Sequence, residues 1–449
     1  MKKHIVDMTK GSVHKNLIAY AVPVILANLL QVFFSAADMI IVGRFDGSTA
    51  LAAVGSTVTI ISFIVQLFGG FTGGAGIVIA RYFGAKDFDG ISRAIHTQVS
   101  MTGLVGIFVM IIGISTARPM LNAMSYPPDV MEQAATYLYI YYMGLPGLNI
   151  YNACRGALGA VGDTRRPLMF LTLAGVLNIL FNLLFVIGFR WGVAGVALAT
   201  TLSQYLSAIP VIIILLRTNE AYKLSPKKLK IHKREVIEMM RIGIPSGIQA
   251  SLMSLSNVSV QSTVNSFGAS AMSGHAAGAN VENFAHIVMG GITSGFSTMV
   301  AQCYGARQFD RIKKGIKISF TSVSAVVLLM MIVINIFSSQ LLGIYTNDLE
   351  AIRVGAIKLR IAGTFCFINS MANCMSSIIK VFGQPVTATL ISLGGLFGTR
   401  MIYIYFILPR CYTIENMYLL FPISYVVTLI FMMIFAARVW KKEYNRLHN

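Results

Sequence analysis

Charge is what this chain has least of. Only 12% of its 449 residues are Asp, Glu, Lys or Arg, about half the share in an ordinary soluble chain. A soluble protein of this size cannot cover its surface with so few charges, so a soluble globular enzyme and a disordered chain are both excluded. Acids are scarcest, 17 against 36 Lys and Arg, for a net charge of +19. That excess could point to nucleic acid, but the basic residues sit in short clusters between long apolar runs, so no nucleic-acid partner is expected. Five cysteines, Cys154, Cys303, Cys366, Cys374 and Cys411, make an odd count with no Cys-x-x-Cys pair. They imply neither a disulfide framework nor a zinc site. No Gly-x-x-x-x-Gly-Lys run offers a phosphate cradle, so ATP is not the expected energy source. No metal-ligand cluster or nucleophile motif is present. The chain is therefore not expected to be an enzyme or to carry a cofactor.

What remains is apolar, with 55% hydrophobic residues and a mean hydropathy of +0.70. This predicts an all-α polytopic membrane protein in the lipid bilayer. Spanning helices need about 20 mostly apolar residues, and twelve such runs can be placed: 17–42, 52–80, 93–117, 132–154, 166–189, 193–216, 237–262, 275–301, 315–337, 353–378, 386–408 and 415–437. The first is too long for a cleavable signal and reads as a span that stays in place. Lys and Arg set the orientation. The N-terminus, the loops after spans 2, 4, 6, 8 and 10, and the C-terminus together hold 28 of the 36. That side should be cytoplasmic, which places both termini inside a cell membrane and agrees with an even number of spans.

The two halves of the chain resemble each other. Gly69–Asp89 aligns with Gly290–Asp310 without a gap, and nine of 21 positions are identical. The match extends to Pro23 and Pro245 at the starts of spans 1 and 7. Each half has an even number of spans, so the halves must run the same way through the membrane, as in parallel-repeat transporters. The expected organisation is an N-terminal six-helix bundle (1–216), a basic cytoplasmic linker (217–236) and a C-terminal six-helix bundle (237–449). The two prolines mark expected kinks, and a bend in span 1 would reshape the surroundings of Asp38. A monomer is expected.

An ionisable group inside a span is costly and is a functional candidate by default. Two carboxylates lie well inside spans, Asp38 in span 1 and Glu282 in span 8. A desolvated, unpaired carboxyl can exchange a proton or bind a cation in its place. Asn28, Gln31 and Ser35 share a helix face with Asp38, as cavity lining or as polar glue between helices. In span 7, Ser246, Gln249, Asn257 and Gln261 form a second polar face. Glu282 should bind ion or substrate, or else bond a basic residue such as Arg400 or Arg360. His275 and His286 read as interfacial or packing residues.

The motifs in order, Val42-Gly43-Arg44-Phe45, Leu51-Ala52-Ala53-Val54-Gly55, Ala80-Arg81-Tyr82-Phe83-Gly84-Ala85, Arg155-Gly156-Ala157-Leu158-Gly159-Ala160-Val161-Gly162-Asp163 and Trp191-Gly192-Val193-Ala194-Gly195, resemble the multidrug and toxic compound extrusion (MATE) family over nearly the whole chain. The resemblance implies alternating-access antiport, in which protons or sodium ions enter while a small organic compound, often cationic, leaves. It implies a cation pocket in the N-terminal half, which brings in Asn178 in span 5 and Thr200 in span 6 beside Asp38. Tyr137 and Tyr139 in span 4 are further candidates, or else belt tyrosines at the membrane interface. Where several members carry an Asn followed four residues later by an Asp, this chain has Asn178 and Asn182. Asn182 could still offer a carbonyl oxygen to a sodium ion near Asp38. With one acid fewer there are fewer oxygen ligands for sodium, so protons are the favoured coupling ion. A flippase for a lipid-linked saccharide, from the same wider superfamily, is the alternative. It would call for a strongly basic cavity.

Overall fold

The computed structural model describes residues 5–124 and 126–448. Residues 1–4, with Lys2 and Lys3 of the basic N-terminus counted above, lie outside them. Among the described residues there is no strand, and twelve long helical runs account for most of the chain. They are Val13–Phe45, Ser48–Ala85, Phe88–Ala123, Pro128–Ala160, Arg165–Gly188, Gly192–Arg217, Lys233–Asn265, Ala269–Gly305, Phe309–Ile336, Leu349–Lys358 continuing to Cys366–Val381, Pro385–Arg410 and Ile414–His448. Each contains most of one predicted span, so the same numbers serve for both. Most run several residues past the apolar core, because a helix satisfies its own backbone polar groups beyond the bilayer as well as within it. Among the described residues, nine runs are long and apolar enough to cross a membrane by composition. The other three are spans 4, 7 and 10. Spans 4 and 7 carry many polar side chains, and span 10 is interrupted by a π turn at Leu359–Gly363.

The chain forms two compact units. Unit 1 is Met1–Asp7 with Leu26–Gly243, and unit 2 is Met8–Ile25 with Ile244–Asn449. Spans 1 and 7 therefore each divide their length between units, and the change falls within three residues of Pro23 or Pro245. Both helices run on through their prolines. Within unit 1, span 4 packs against spans 2, 3 and 6. Within unit 2, its counterpart span 10 packs against spans 8, 9 and 12. The apolar core of unit 1 centres on Leu138, Tyr142 and Leu145, and that of unit 2 on Met331, Leu359 and Tyr418.

The repeat is carried into the backbone. Gly47 (φ 91°, ψ −178°) and Gly268 (φ 98°, ψ 177°) precede spans 2 and 8, in a region of φ/ψ space open essentially to glycine alone. Lys86 and Arg307 follow the same two spans with φ of 56° and 57°. Equivalent residues in both halves thus hold the same strained conformations.

The segments that lead into spans 1 and 7 are also treated alike. Arg311 donates from Nε to the Met8 carbonyl (2.6 Å), from Nη1 to that of Gly11 (2.9 Å) and from Nη2 to that of Lys10 (2.6 Å). In unit 1 the linker is tied by Ser225 N to His96 Nε2 (2.9 Å), His232 N to Thr97 Oγ1 (3.1 Å) and an Arg93–Glu235 ion pair (2.8 Å).

Candidate functional site

In unit 1 four predicted residues meet. Span 1 brings Asp38, half-buried, against spans 5 and 6. Asn182 Nδ2 donates to Asp38 Oδ1 at 2.5 Å, and Thr200 Oγ1 donates to Asp38 Oδ2 at 3.3 Å. Asn182 Nδ2 also reaches Asn178 Oδ1 at 3.3 Å, so the i, i+4 pair on span 5 acts as one unit. Both asparagines are buried. Among the described residues no basic side chain lies within ion-pair distance of Asp38. The buried Asn182 Oδ1 has no hydrogen-bond partner. An unsatisfied buried acceptor beside a carboxylate is where a proton or a cation would find an oxygen waiting. Span 5 turns from α to π geometry immediately after Asn182, at Leu183–Gly188. Such turns disturb the helical ladder and often mark functional positions.

The other candidates in unit 1 divide. Tyr137 is buried and stacks on Tyr141, with ring centroids 6.0 Å apart. Both tyrosines lie within electrostatic reach of Asp38, and Tyr141 bonds the Gln204 side chain. Tyr139 is half-buried. Tyr141 was the residue to find, and the i, i+4 spacing from Tyr137 was the signal. Asn28 and Gln31 are half-buried and Ser35 is exposed; none bonds Asp38.

Unit 2 holds a different arrangement. Glu282 is buried, and Lys358 Nζ donates to its Oε2 at 2.7 Å, with both side chains almost wholly enclosed. His286 Nε2 lies 3.5 Å from the other carboxylate oxygen. The partner of Glu282 is thus Lys358, not Arg400 or Arg360. Backbones make this possible. A Cβ on Gly274 would strike the Ala351 carbonyl, and one on Gly278 would crowd the Lys358 side chain at 3.2 Å. Spans 8 and 10 therefore approach closely there, and the close approach carries Lys358 over Glu282. His275 is a packing residue, stacked on Tyr418 and bonded to its hydroxyl at 3.3 Å.

Two of the span 7 candidates meet cations. Gln249 Oε1 accepts from Lys380 Nζ at 3.3 Å, and Asn257 Oδ1 accepts from Arg400 Nη1 at 3.4 Å. Gln261 instead bonds Asn265 one turn on (2.8 Å), at the surface. Among the described residues no group of three or more His, Cys, Asp or Glu side chains is placed to hold a metal ion. A sodium ion near Asp38 would draw on one carboxylate, two amide carbonyls and a hydroxyl.

Twelve long helical runs, most of them apolar enough to cross a membrane, define a multi-pass membrane protein, with a carboxylate in span 1 that accepts from one amide and one hydroxyl of spans 5 and 6. The MatE family model matches residues 23–184 and again 245–406, one match in each half. The chain belongs to the MATE family of membrane transporters. It is 25% identical over 444 residues to the probable multidrug resistance protein YoeA of Bacillus subtilis (strain 168), covering 97% of this chain and 96% of that one. It is 21% identical over 400 residues to the multidrug export protein MepA of Staphylococcus aureus (strain MSSA476), covering 89% and 88%. Its fold is similar to that of a multidrug resistance MATE family transporter of the MOP superfamily solved in an outward-facing conformation. The TM-score is 0.88 at 18% identity, over 98% of this chain and 99% of that one.

Proposed function

We propose that the chain is a secondary active antiporter that exports small organic compounds, often cationic or amphipathic, by alternating access. The observation that carries this reading is Asp38. Its carboxyl accepts from Asn182 and Thr200 and, among the described residues, meets no cationic side chain, so its charge is left for a mobile cation. An organic cation and a coupling ion would then compete for one carboxylate, which is the minimum an antiporter needs. Multidrug relatives that match over almost the whole chain support the cargo class.

Protons are the proposed coupling ion. A single carboxylate suits one proton, and rotation of the Asn182 amide would turn its unused oxygen toward a protonated Asp38. Sodium is the alternative, bound by Asp38, Asn178, Asn182 and Thr200. We place the protein in the cell membrane with both termini cytoplasmic, on the strength of the Lys and Arg bias. The two bundles of the repeat are its working halves, and since one chain holds both, a monomer suffices.

The test is ethidium efflux from proteoliposomes, wild type beside Asp38→Asn, under a proton gradient and then a sodium gradient. Wild type should move dye under one gradient, and Asp38→Asn should lose at least tenfold of that rate. Efflux that is equal in the two proteins would remove Asp38 from the mechanism. A second reading, flipping of a lipid-linked saccharide, draws on buried Lys358 and Arg400 in unit 2. It predicts no dye movement under either gradient.

A further inference from the structure

Around spans 8, 10 and 11, unit 2 buries two cations, Lys358 and Arg400, beside one carboxylate, Glu282; its other buried carboxylate, Glu443, lies near the end of span 12. Glu282 is matched by Lys358 at 2.7 Å. Arg400 is left over. It is only 3% exposed, and among the described residues no carboxylate lies within ion-pair distance of it. Its hydrogen-bond partners are neutral: Ser424 Oγ from Nε, and Ser256 Oγ and Asn257 Oδ1 from Nη1, each at 3.4 Å. The guanidinium carbon lies 4.8 Å from the Phe421 ring centre and 5.8 Å from that of Tyr425. It sits in a four-residue helical stretch, Thr399–Ile402, between two π turns at Leu393–Gly398 and Tyr403–Ile407.

A buried cation with no carboxylate in contact is costly, and ring faces, long hydrogen bonds to neutral groups, the Tyr425 hydroxyl and the more distant Glu282 offset only part of that cost. An anion would offset the rest. A guanidinium presents five donors in a planar fork, a geometry that fits two oxygens of one oxyanion. Asn257, which shares the Nη1 donor, is itself exposed, so the site reaches the surface of unit 2. A single guanidinium suits a carboxylate better than a pyrophosphate. The flanking Phe421 and Tyr425 rings suit a carboxylate carried by an aromatic or otherwise apolar body.

We infer that Arg400, with Ser256, Asn257 and Ser424, forms an anion site that takes the carboxylate of an amphipathic organic solute. This rests on the export reading, and the test separates the two.

The probes are two dyes of nearly the same shape, rhodamine B with a free carboxylate and rhodamine 6G with that group esterified. Their binding to the purified full-length chain in nanodiscs, in chloride-free buffer, is followed by fluorescence polarisation. Arg400→Gln should weaken rhodamine B at least tenfold relative to rhodamine 6G, the loss of a charge-assisted hydrogen-bonded contact. Arg400→Lys should lose less. Benzoate should displace rhodamine B from wild type and leave rhodamine 6G bound. The site is refuted if the ratio of the two affinities is the same in Arg400→Gln as in wild type while both proteins melt alike. Chloride that displaces rhodamine B as well as benzoate does would overturn the carboxylate assignment in favour of an inorganic anion. If neither dye binds, but benzoate raises the melting temperature of wild type and not of Arg400→Gln, the anion site stands and the export reading falls. If neither dye binds and benzoate protects neither protein, the anion site falls.

Discussion

Breaking the Glu282–Lys358 pair should cost more than deleting it. At 2.7 Å, two unit charges attract by about 6 kcal/mol at an effective dielectric near 20. Enclosing each ion costs several kcal/mol, so the intact pair comes close to break-even. Removing one partner leaves the other ion's burial uncompensated. Glu282→Gln or Lys358→Met alone should therefore lose about 3–5 kcal/mol. The double variant should return to within about 1 kcal/mol of wild type, giving a coupling of roughly 5 kcal/mol or more. The assay is equilibrium unfolding by SDS in mixed micelles, with thermal midpoints as a check on ranking. The reasoning is refuted if either single variant is as stable as wild type, or if the double variant loses the sum of the singles. The same four proteins decide what Glu282 does. Dye efflux restored with stability in the double variant makes the pair structural. Stability restored without efflux puts the carboxylate on the transported ion or solute.

Two further outcomes follow from the backbone and the N-terminal segment. Gly47→Ala and Gly268→Ala should each destabilise by about 1–3 kcal/mol. A Cβ there meets nothing within 4 Å, so the loss comes from φ alone; thermal melts of both variants that match wild type would contradict it. Arg311→Ala removes the side chain that holds the carbonyls of Met8, Lys10 and Gly11. Trypsin should then cut after the exposed Lys10 several times faster than in wild type, with no change elsewhere in the digestion pattern, and an unchanged rate would mean that other contacts hold the segment.

Which helices span, and which way the family's residues run along them, was legible in the chain because both are local. A bilayer asks each helix for a continuous apolar run, and the run is written in consecutive residues. The repeat was legible for the same reason, since duplicated neighbours stay neighbours. Asp38 was legible because an acid inside an apolar run stands out wherever it folds, whereas Asn178, Asn182 and Thr200 were singled out by the family resemblance. Span 10 shows the limit. Arg353, Lys358 and Arg360 all stand near the start of that run, and nothing local marks the middle one as the residue that turns inward.

The amino-acid sequence alone determined the helical class, the twelve runs, the bias of Lys and Arg between alternate loops and the acid that lies well inside a span of the first half, Asp38. Tertiary structure decided the partners. Lys358 finds Glu282 across 76 residues of chain because Gly274 and Gly278 let two helices close. Arg400 ends up buried without an acid for a like reason. Hydropathy is a property of a segment, whereas the choice of counter-ion belongs to the pairs of helices that happen to pack, and only the folded chain makes those pairs.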